Sequence, residues 1–341
     1  MIDYLAEQLA QAQTAKPWWF IIAFSALLLV TLPGIFLLVN NVEASLENVL
    51  PSNVESVSTM NDARTQYSAD MLHVVIYASG AVTDVQQAQA YADEVASRIQ
   101  QAPLVVTAQS TFTEHTLSAD KQLAVIDVQA NTGTQTQQIT RVIEDIQRAI
   151  DASQANNPGV ETQITGFAAI DQATFNTIMS DFLKITGLAM LLILGVVYSL
   201  FRRVRSTLIP IVAVFAALIT TMGLTGYLGI TITVVTMVAA AMILGLGIDF
   251  GIHIIHSYTQ YRESKTPVAA MQLTVHELFR AQLGASLTTS AGFLALGLGV
   301  LPAMADLGLV LALGIFFTFL SSVGLLPPLL LLTESTTQPN N

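Results

Sequence analysis

The sequence contains no cysteine, so it can form neither a disulfide nor a thiolate metal site. It is also poor in charge. Charged residues make up 11% of its 341 positions, less than half of the roughly 25% usual in a soluble domain. Bases are scarcer than acids, 13 Lys and Arg against 24 Asp and Glu, for a net charge of −11. Nucleic acid is recognised by clustered Lys and Arg, so no nucleic-acid partner is expected. There is no nucleophile–base pair and no ligand set with metal-binding spacing. An enzyme, a metal site and a cofactor are therefore not expected.

What the sequence does have is long apolar runs. A helix needs about 20 apolar residues to cross the hydrocarbon layer. Six segments meet that length, at about 18–39, 182–201, 207–228, 233–256, 282–301 and 305–332. The first is longer than the hydrophobic stretch of a signal peptide. It reads as an uncleaved anchor, with Pro17, Trp18, Trp19 and Phe20 at the interface. The acidity lies elsewhere. Residues 40–180 hold 16 acids and 5 bases, and the rest of the chain is balanced. The expected layout is a terminal segment at 1–17, a first span at 18–39 and a water-facing domain at 40–180. Five more spans over 182–332 follow, with a polar helix at about 262–281 and a tail at 333–341.

Short loops rich in Lys and Arg stay in the cytoplasm. Lys16, Arg202, Arg203, Arg205, Arg262, Lys265 and Arg280 all fall on one side if six spans are crossed. The acidic domain and two turns, near Gly226–Ile230 and Pro302–Asp306, fall on the other. Both termini are then cytoplasmic and residues 40–180 extracytoplasmic.

Within that domain, 71–78, 103–112, 121–130 and 160–166 read as strands. Residues 84–101 and 136–152 carry apolar residues at helical spacing. The order is β-α-β-β-α-β, the ferredoxin-like or split βαβ unit, with Asn157-Pro158-Gly159 turning into the last strand. His73 and His115 stand isolated there and read as structural.

The fourth span is the informative one, because it carries Asp249, His253 and His256. An ionised Asp at the bilayer centre costs roughly 2.5–3.5 kcal/mol even on a lenient scale, so it normally faces protein or water. His253 lies four residues on, on the same helical face, and His256 follows three later. Burial raises a carboxylic pKa and lowers that of His, which suits proton exchange near neutral pH. The blander readings are an Asp249–His253 structural hydrogen bond and a His256 in the headgroup zone. Asp249 is expected nearer the cytoplasmic half of its span. Gly245, Gly247 and Gly251 flank it, and the last two have the spacing that lets helices approach closely. Ser286, Thr288, Thr289 and Ser290 open the fifth span with hydroxyls. They are placed either to reach Asp249 or to bond their own helix. Asp306 reads as an interfacial cap of the sixth span.

Two strings carry a family resemblance. GLGIDFGIHIIHSYTQYRES and LTTSAGFLALGLGVLPAMADLGLVLALGIFFTFLSSVGLLPPLLLL resemble the RND superfamily. The branch is that of the MMPL-type exporters, related to hopanoid and other lipid transporters and to sterol-sensing domains. The resemblance implies export from the inner (plasma) membrane, driven by proton motive force, of a hydrophobic or lipid-like substrate. It assigns the proton to Asp249 and matches the hydroxyl-rich start of the fifth span to Thr288 and Thr289. The family often has Tyr after the Asp, where this chain has Phe250. His253 is the candidate to stand in for the lost hydroxyl, and His256 the next candidate along the relay, by their positions and not by the family pattern. RND transporters usually hold two six-helix halves, and this sequence has one. Either two copies form a homodimer, a second RND-like half pairs with it, or the sequence is part of a longer chain. The competing functions are a sterol-sensing-type lipid-binding module and an accessory subunit of protein export.

Overall fold

The computed structural model describes residues 2–41, 54–55, 58–59, 70–78, 85–111, 123–130, 136–154 and 160–335. His115, the turn at 157–159 and tail residues 336–341 lie outside the described residues. The chain divides into a helical unit, Met1–Val42 with Ser180–Asn341, and a second unit, Glu43–Met179.

The second unit is built on strands β1 (Asp70–Ala78), β2 (Val105–Thr111), β3 (Leu123–Ala130) and β4 (Val160–Gly166). Helices α3 (Val85–Ile99) and α4 (Thr136–Gln154) separate them, so the element order is β-α-β-β-α-β. The sheet order is β2-β3-β1-β4, antiparallel throughout. Strand side chains alternate between faces. Leu72, Val74 and Ile76 of β1 therefore point into the core with Ile126 and Val128 of β3. The register pairs Leu72 with Val128 and Val74 with Ile126, so both strands turn the same face inward. Ile139, Val142, Ile146 and Ile150 form the matching stripe on α4. Burying one such side chain contributes about 1.5–3 kcal/mol.

The helical unit opens with α1 (Ile2–Ala15), a helix that the apolar pattern of residues 1–17 does not mark. Then come α2 (Pro17–Asn40), the later turns of α5 (Phe167–Phe201), α6 (Val204–Tyr227) and α7 (Val234–Arg262). It ends with α8 (Pro267–Leu294), α9 (Pro302–Gly324) and α10 (Leu326–Ser335). α9 packs against α6, α7 and α8, and α2 packs along α6.

Among the described residues, five helices are long and apolar enough to cross a membrane. They are Pro17–Val39, Ala168–Phe201, Val204–Tyr227, Val235–Arg262 and Pro302–Glu334. The expected span at 282–301 is not among them. Its apolar residues are split between the end of α8, which begins polar, and a 3-10 turn at Ala295–Leu298. α8 nonetheless has 28 residues, about 42 Å at 1.5 Å per residue.

Contacts fix the two ends of this bundle. At one end, Gln272 Nε2 near the start of α8 donates to Thr14 Oγ1 at 3.0 Å, and Gln13 Nε2 donates to Val323 O at 2.6 Å. Arg262 bonds Glu334 there through Nη2 at 2.8 Å and Nε at 3.0 Å. At the other end, Ile232 N–H donates to Asn41 O at 3.0 Å, and Asn41 Nδ2 donates to Gly229 O at 3.1 Å. α8 ends near the start of α9, where a Cβ on Gly308 would lie 2.3 Å from Phe293 O.

Candidate functional site

α7 positions the candidate residues. Thr233 caps it: its hydroxyl accepts from Thr236 N–H at 3.3 Å, while the Thr236 hydroxyl accepts from Thr233 N–H at 2.7 Å. The reciprocal pair satisfies donors that a helix start leaves open. The capped helix is 29 residues long. Asp249 lies fifteen residues after Val234 and thirteen before Arg262, near the midpoint of the helix.

One face of α7 is buried. Ile243, Leu244, Ile248, Ile254 and Ile255 lie on it, all between 0% and 6% exposed. Gly247 and Gly251 share that side but meet different neighbours. A Cβ on Gly247 would lie 2.5 Å from Thr318 Cγ2 of α9, and one on Gly251 2.7 Å from Pro210 Cβ of α6. Gly245 differs, since a Cβ there would meet nothing within 4 Å.

The opposite face is open. Gly245, Leu246, Asp249, His253 and His256 are all exposed. The neighbouring face of α8 is open too, with Gly284, Ala285, Leu287, Thr288, Ala291 and Gly292 exposed and Thr289 half-buried. The structure thus puts the acid, both histidines and Thr288 on the outside of the bundle. It does not join them. Among the described residues, no hydrogen bond or ion pair links the side chains of Asp249, His253, His256, Thr288 and Thr289. Thr288 Oγ1 instead donates to Gly284 O of its own helix at 2.9 Å. Ser290 Oγ turns to α9 and donates to Ala312 O at 3.0 Å. The Ser286 hydroxyl is buried without a partner.

Sequence reasoning missed Gln282. It is buried, and its Nε2 donates to Phe250 O at 2.9 Å, tying α8 to α7 one residue from Asp249. Its signal was a lone amide at the start of an otherwise apolar run. Phe250 itself packs edge-on against Phe319 of α9, with ring centroids 6.3 Å apart. Two further expectations are corrected. Asp306 does not cap α9, since that helix has Leu301 as its N-cap and Asp306 stands inside it. His73 is not isolated: its Nδ1 lies 2.7 Å from Asp127 Oδ1, its direct cross-strand neighbour. Among the described residues, no group of three or more His, Asp or Glu is placed to hold a metal ion.

Comparisons with known proteins bear on this face. Residues 48–340 match the family described as the MMPL family. A protein of Methanocaldococcus jannaschii, named as membrane protein MJ1562, is 34% identical over 226 residues, 65% of this chain and 57% of its own. The solvent-resistant pump membrane transporter SrpB of Pseudomonas putida is 31% identical over 107 residues, 31% of this chain and 10% of its own. The chain thus spans about 57% and 10% of the lengths of these two relatives.

Proposed function

The chain belongs to the MMPL family, and on that premise we propose that it acts as half of a proton-driven exporter, with Asp249 as the proton carrier. The observation that carries this reading is the position of Asp249. It stands at the middle of an apolar helix, on a face that the rest of the helical unit leaves uncovered. A carboxylate there is tolerated only against protein or water, and such residues mark proton and ion paths. The similarity to a solvent-resistant pump supports a hydrophobic or lipid-like cargo.

The open face needs a cover, and a second six-helix half supplies one. A second copy of this chain meets the requirement through a two-fold axis, in which each half presents the same patch. Transporters built from two parallel halves about an axis along the membrane normal follow the same plan. Small residues on the exposed face, Gly245, Gly284, Ala285 and Gly292, allow close approach. Proton loading at Asp249, with His253, His256, Thr288 and Thr289 along the interface, then biases the two halves between states. α8 serves as the sixth crossing, since it runs from beside Thr14 to the start of α9. The basic end of the bundle is cytoplasmic, and residues 40–180 are extracytoplasmic.

The test is carbodiimide modification of the protein in native-like bilayers, read at Asp249 by peptide mass spectrometry. Selective modification that changes with pH supports proton exchange at this carboxyl. A carboxyl that stays unmodified across about pH 5–8, while a neighbouring engineered probe shows the reagent arriving, would overturn it. Asp249→Asn is expected to insert normally and to lose proton-coupled transport.

A further inference from the structure

α1 carries three stripes of residues, each at helical spacing. Ala6, Ala10 and Gln13 are buried and set the helix against α8. Gln13 Nε2 also reaches α9, where it donates to Val323 O at 2.6 Å, and Thr14 Oγ1 accepts from Gln272 of α8 at 3.0 Å. A narrow face of small side chains and the polar bonds of its last turns therefore fix α1 to the bundle. On one flank of that face lie Asp3, Glu7 and Gln11, all exposed. Glu7 and Gln11 line a polar cleft of about 510 Å3 together with Lys265, Gln272 and His276. On the other flank lie Ile2, Leu5, Leu9 and Ala12, at steps of three, four and three residues. Ile2, Leu5 and Ala12 are exposed, and Leu9 is half-buried. That stripe runs ten residues, about 15 Å at 1.5 Å per residue.

A helix surrounded by water gains most by turning leucine and isoleucine onto the core and leaving alanine outside. α1 does the reverse: it buries Ala6 and Ala10 and leaves Ile2 and Leu5 exposed. The reverse arrangement suits a helix with a second apolar medium beside it. Such a medium is close by along the chain. Only Lys16 separates α1 from α2, the first of the helices long and apolar enough to cross a membrane. Trp18 and Trp19 at the start of α2 are 62% and 67% exposed, and tryptophan gathers where a helix passes the headgroup level. The last turn of α1 is thereby held within a few residues of the bilayer surface.

We propose that α1 lies in the membrane interface, with its Ile2, Leu5, Leu9 and Ala12 flank seated in lipid and its Asp3, Glu7 and Gln11 flank in water. Interfacial helices sink an apolar face about 5–10 Å into the boundary between headgroups and acyl chains. Many of them add Lys and Arg, which draw in anionic lipid. α1 contains Asp3 and Glu7 and no base. Apolar burial alone therefore seats it, and it needs no anionic headgroup. Through Gln13 and Thr14 the helix joins the membrane surface to the end of α9 and the start of α8. This surface makes no use of Asp249 or of a second half. Its failure and the failure of the proton-coupling reading are therefore separate events.

The experiment is spin labelling of single-cysteine variants of the full chain in phosphatidylcholine vesicles. The chain has no cysteine of its own, so each label is unique. Leu5→Cys and Ala12→Cys put the nitroxide on the apolar flank, and Asp3→Cys and Glu7→Cys put it on the polar one. All four side chains are exposed, so the variants should melt as wild type. Collision with oxygen, which concentrates in lipid, is compared with collision with a water-soluble nickel chelate. The ratio of oxygen to nickel collisions should be several-fold higher for the Leu5 and Ala12 variants than for the Asp3 and Glu7 variants. Adding phosphatidylglycerol should not raise it. Equal ratios on the two flanks would overturn the proposal. So would exclusion of both colliders from the Leu5 and Ala12 variants, which would put protein rather than lipid on the stripe. A high ratio found only with phosphatidylglycerol would overturn seating by apolar burial.

Discussion

Gly34 of α2 and Gly226 of α6 meet backbone to backbone: a Cβ on Gly226 would lie 1.9 Å from Gly34 O, and one on Gly34 2.0 Å from Gly223 O. Gly223 is as tight, with its Cβ position 2.1 Å from Thr31 O. The two helices touch where side chains are absent, and the Tyr227 hydroxyl adds a bond to Val30 O at 2.8 Å. Backbone atoms cannot step aside as a side-chain tip can. Gly226→Val should therefore cost the upper part of the roughly 1–3 kcal/mol typical of overpacking, or more. Thermal unfolding in detergent reads the loss. Gly195→Ala on α5, whose Cβ would meet nothing within 4 Å, should melt as wild type. Equal melting of both variants would show that α2 and α6 do not approach this closely.

Gln282 makes a second stability test, this time beside the candidate site. Its Nε2 bonds Phe250 O at 2.9 Å, while its Oε1 is buried without a partner. Gln282→Leu loses one interhelical bond, typically about 0.6 kcal/mol in a membrane and at most about 1.7. It also removes the unpaired oxygen, so the net change should stay below about 1 kcal/mol. Gln282→Glu keeps the shape but buries a charge or a second polar oxygen, and should destabilise more. Hydrogen exchange over α7 should quicken for Glu more than for Leu. The reverse order would mean that Gln282 is not the tie between α7 and α8.

The sheet unit was legible in the sequence because its signals are local. β1 alternates inward Leu72, Val74 and Ile76 with outward His73 and Val75, and α4 carries isoleucines at helical spacing. The register was not legible, so the His73–Asp127 pair across β1 and β3 was invisible. α1 was missed for a related reason. Its buried face is Ala6, Ala10 and Gln13 rather than its leucines, and Leu5 is 52% exposed. An apolar pattern cannot mark a helix that packs through alanine and glutamine. Asp249 was legible as a candidate residue from its cost in an apolar run. Its surroundings were not, because facing outward is a property of the packed bundle. Residues 282–301 read as a span by composition, but α8 ends at Leu294 and a 3-10 turn takes up the rest.

Tyr258, Arg262 and Glu334 form one network at the basic end, joining α7 to the end of α10. Arg262 is 28% exposed and Glu334 35%, so solvent weakens their attraction. Glu334→Gln should cost about 1 kcal/mol or less. Tyr258→Phe should cost a similar amount by removing the donor to the same carboxylate. Residues sharing a partner do not act independently. The double variant should therefore lose less than the sum of the two single losses. Strict additivity in a double-mutant cycle would show that the Tyr258 hydroxyl and Glu334 are not coupled.

The absence of cysteine makes the covering of the Asp249 face directly measurable. Any introduced cysteine is the only one in the chain, so a disulfide-linked dimer reports contact between two copies at that position. Thr288→Cys lies on the open face of α8 and is expected to give dimers on mild oxidation in native membranes. Gly245→Cys, on the adjoining face of α7, should do the same, since a side chain there meets nothing within its own bundle. Two-fold symmetry brings equivalent residues near the axis together. Gly187→Cys on α5 also has open space around it but lies outside the proposed interface. It should stay monomeric, which excludes random collision as the source of the bands. Dimers at Thr288 and Gly245 but not Gly187 would identify the second copy as the cover over Asp249. Monomers at all three would leave the acid to a different partner chain, and cross-linking at Gly187 alone would move the interface to α5.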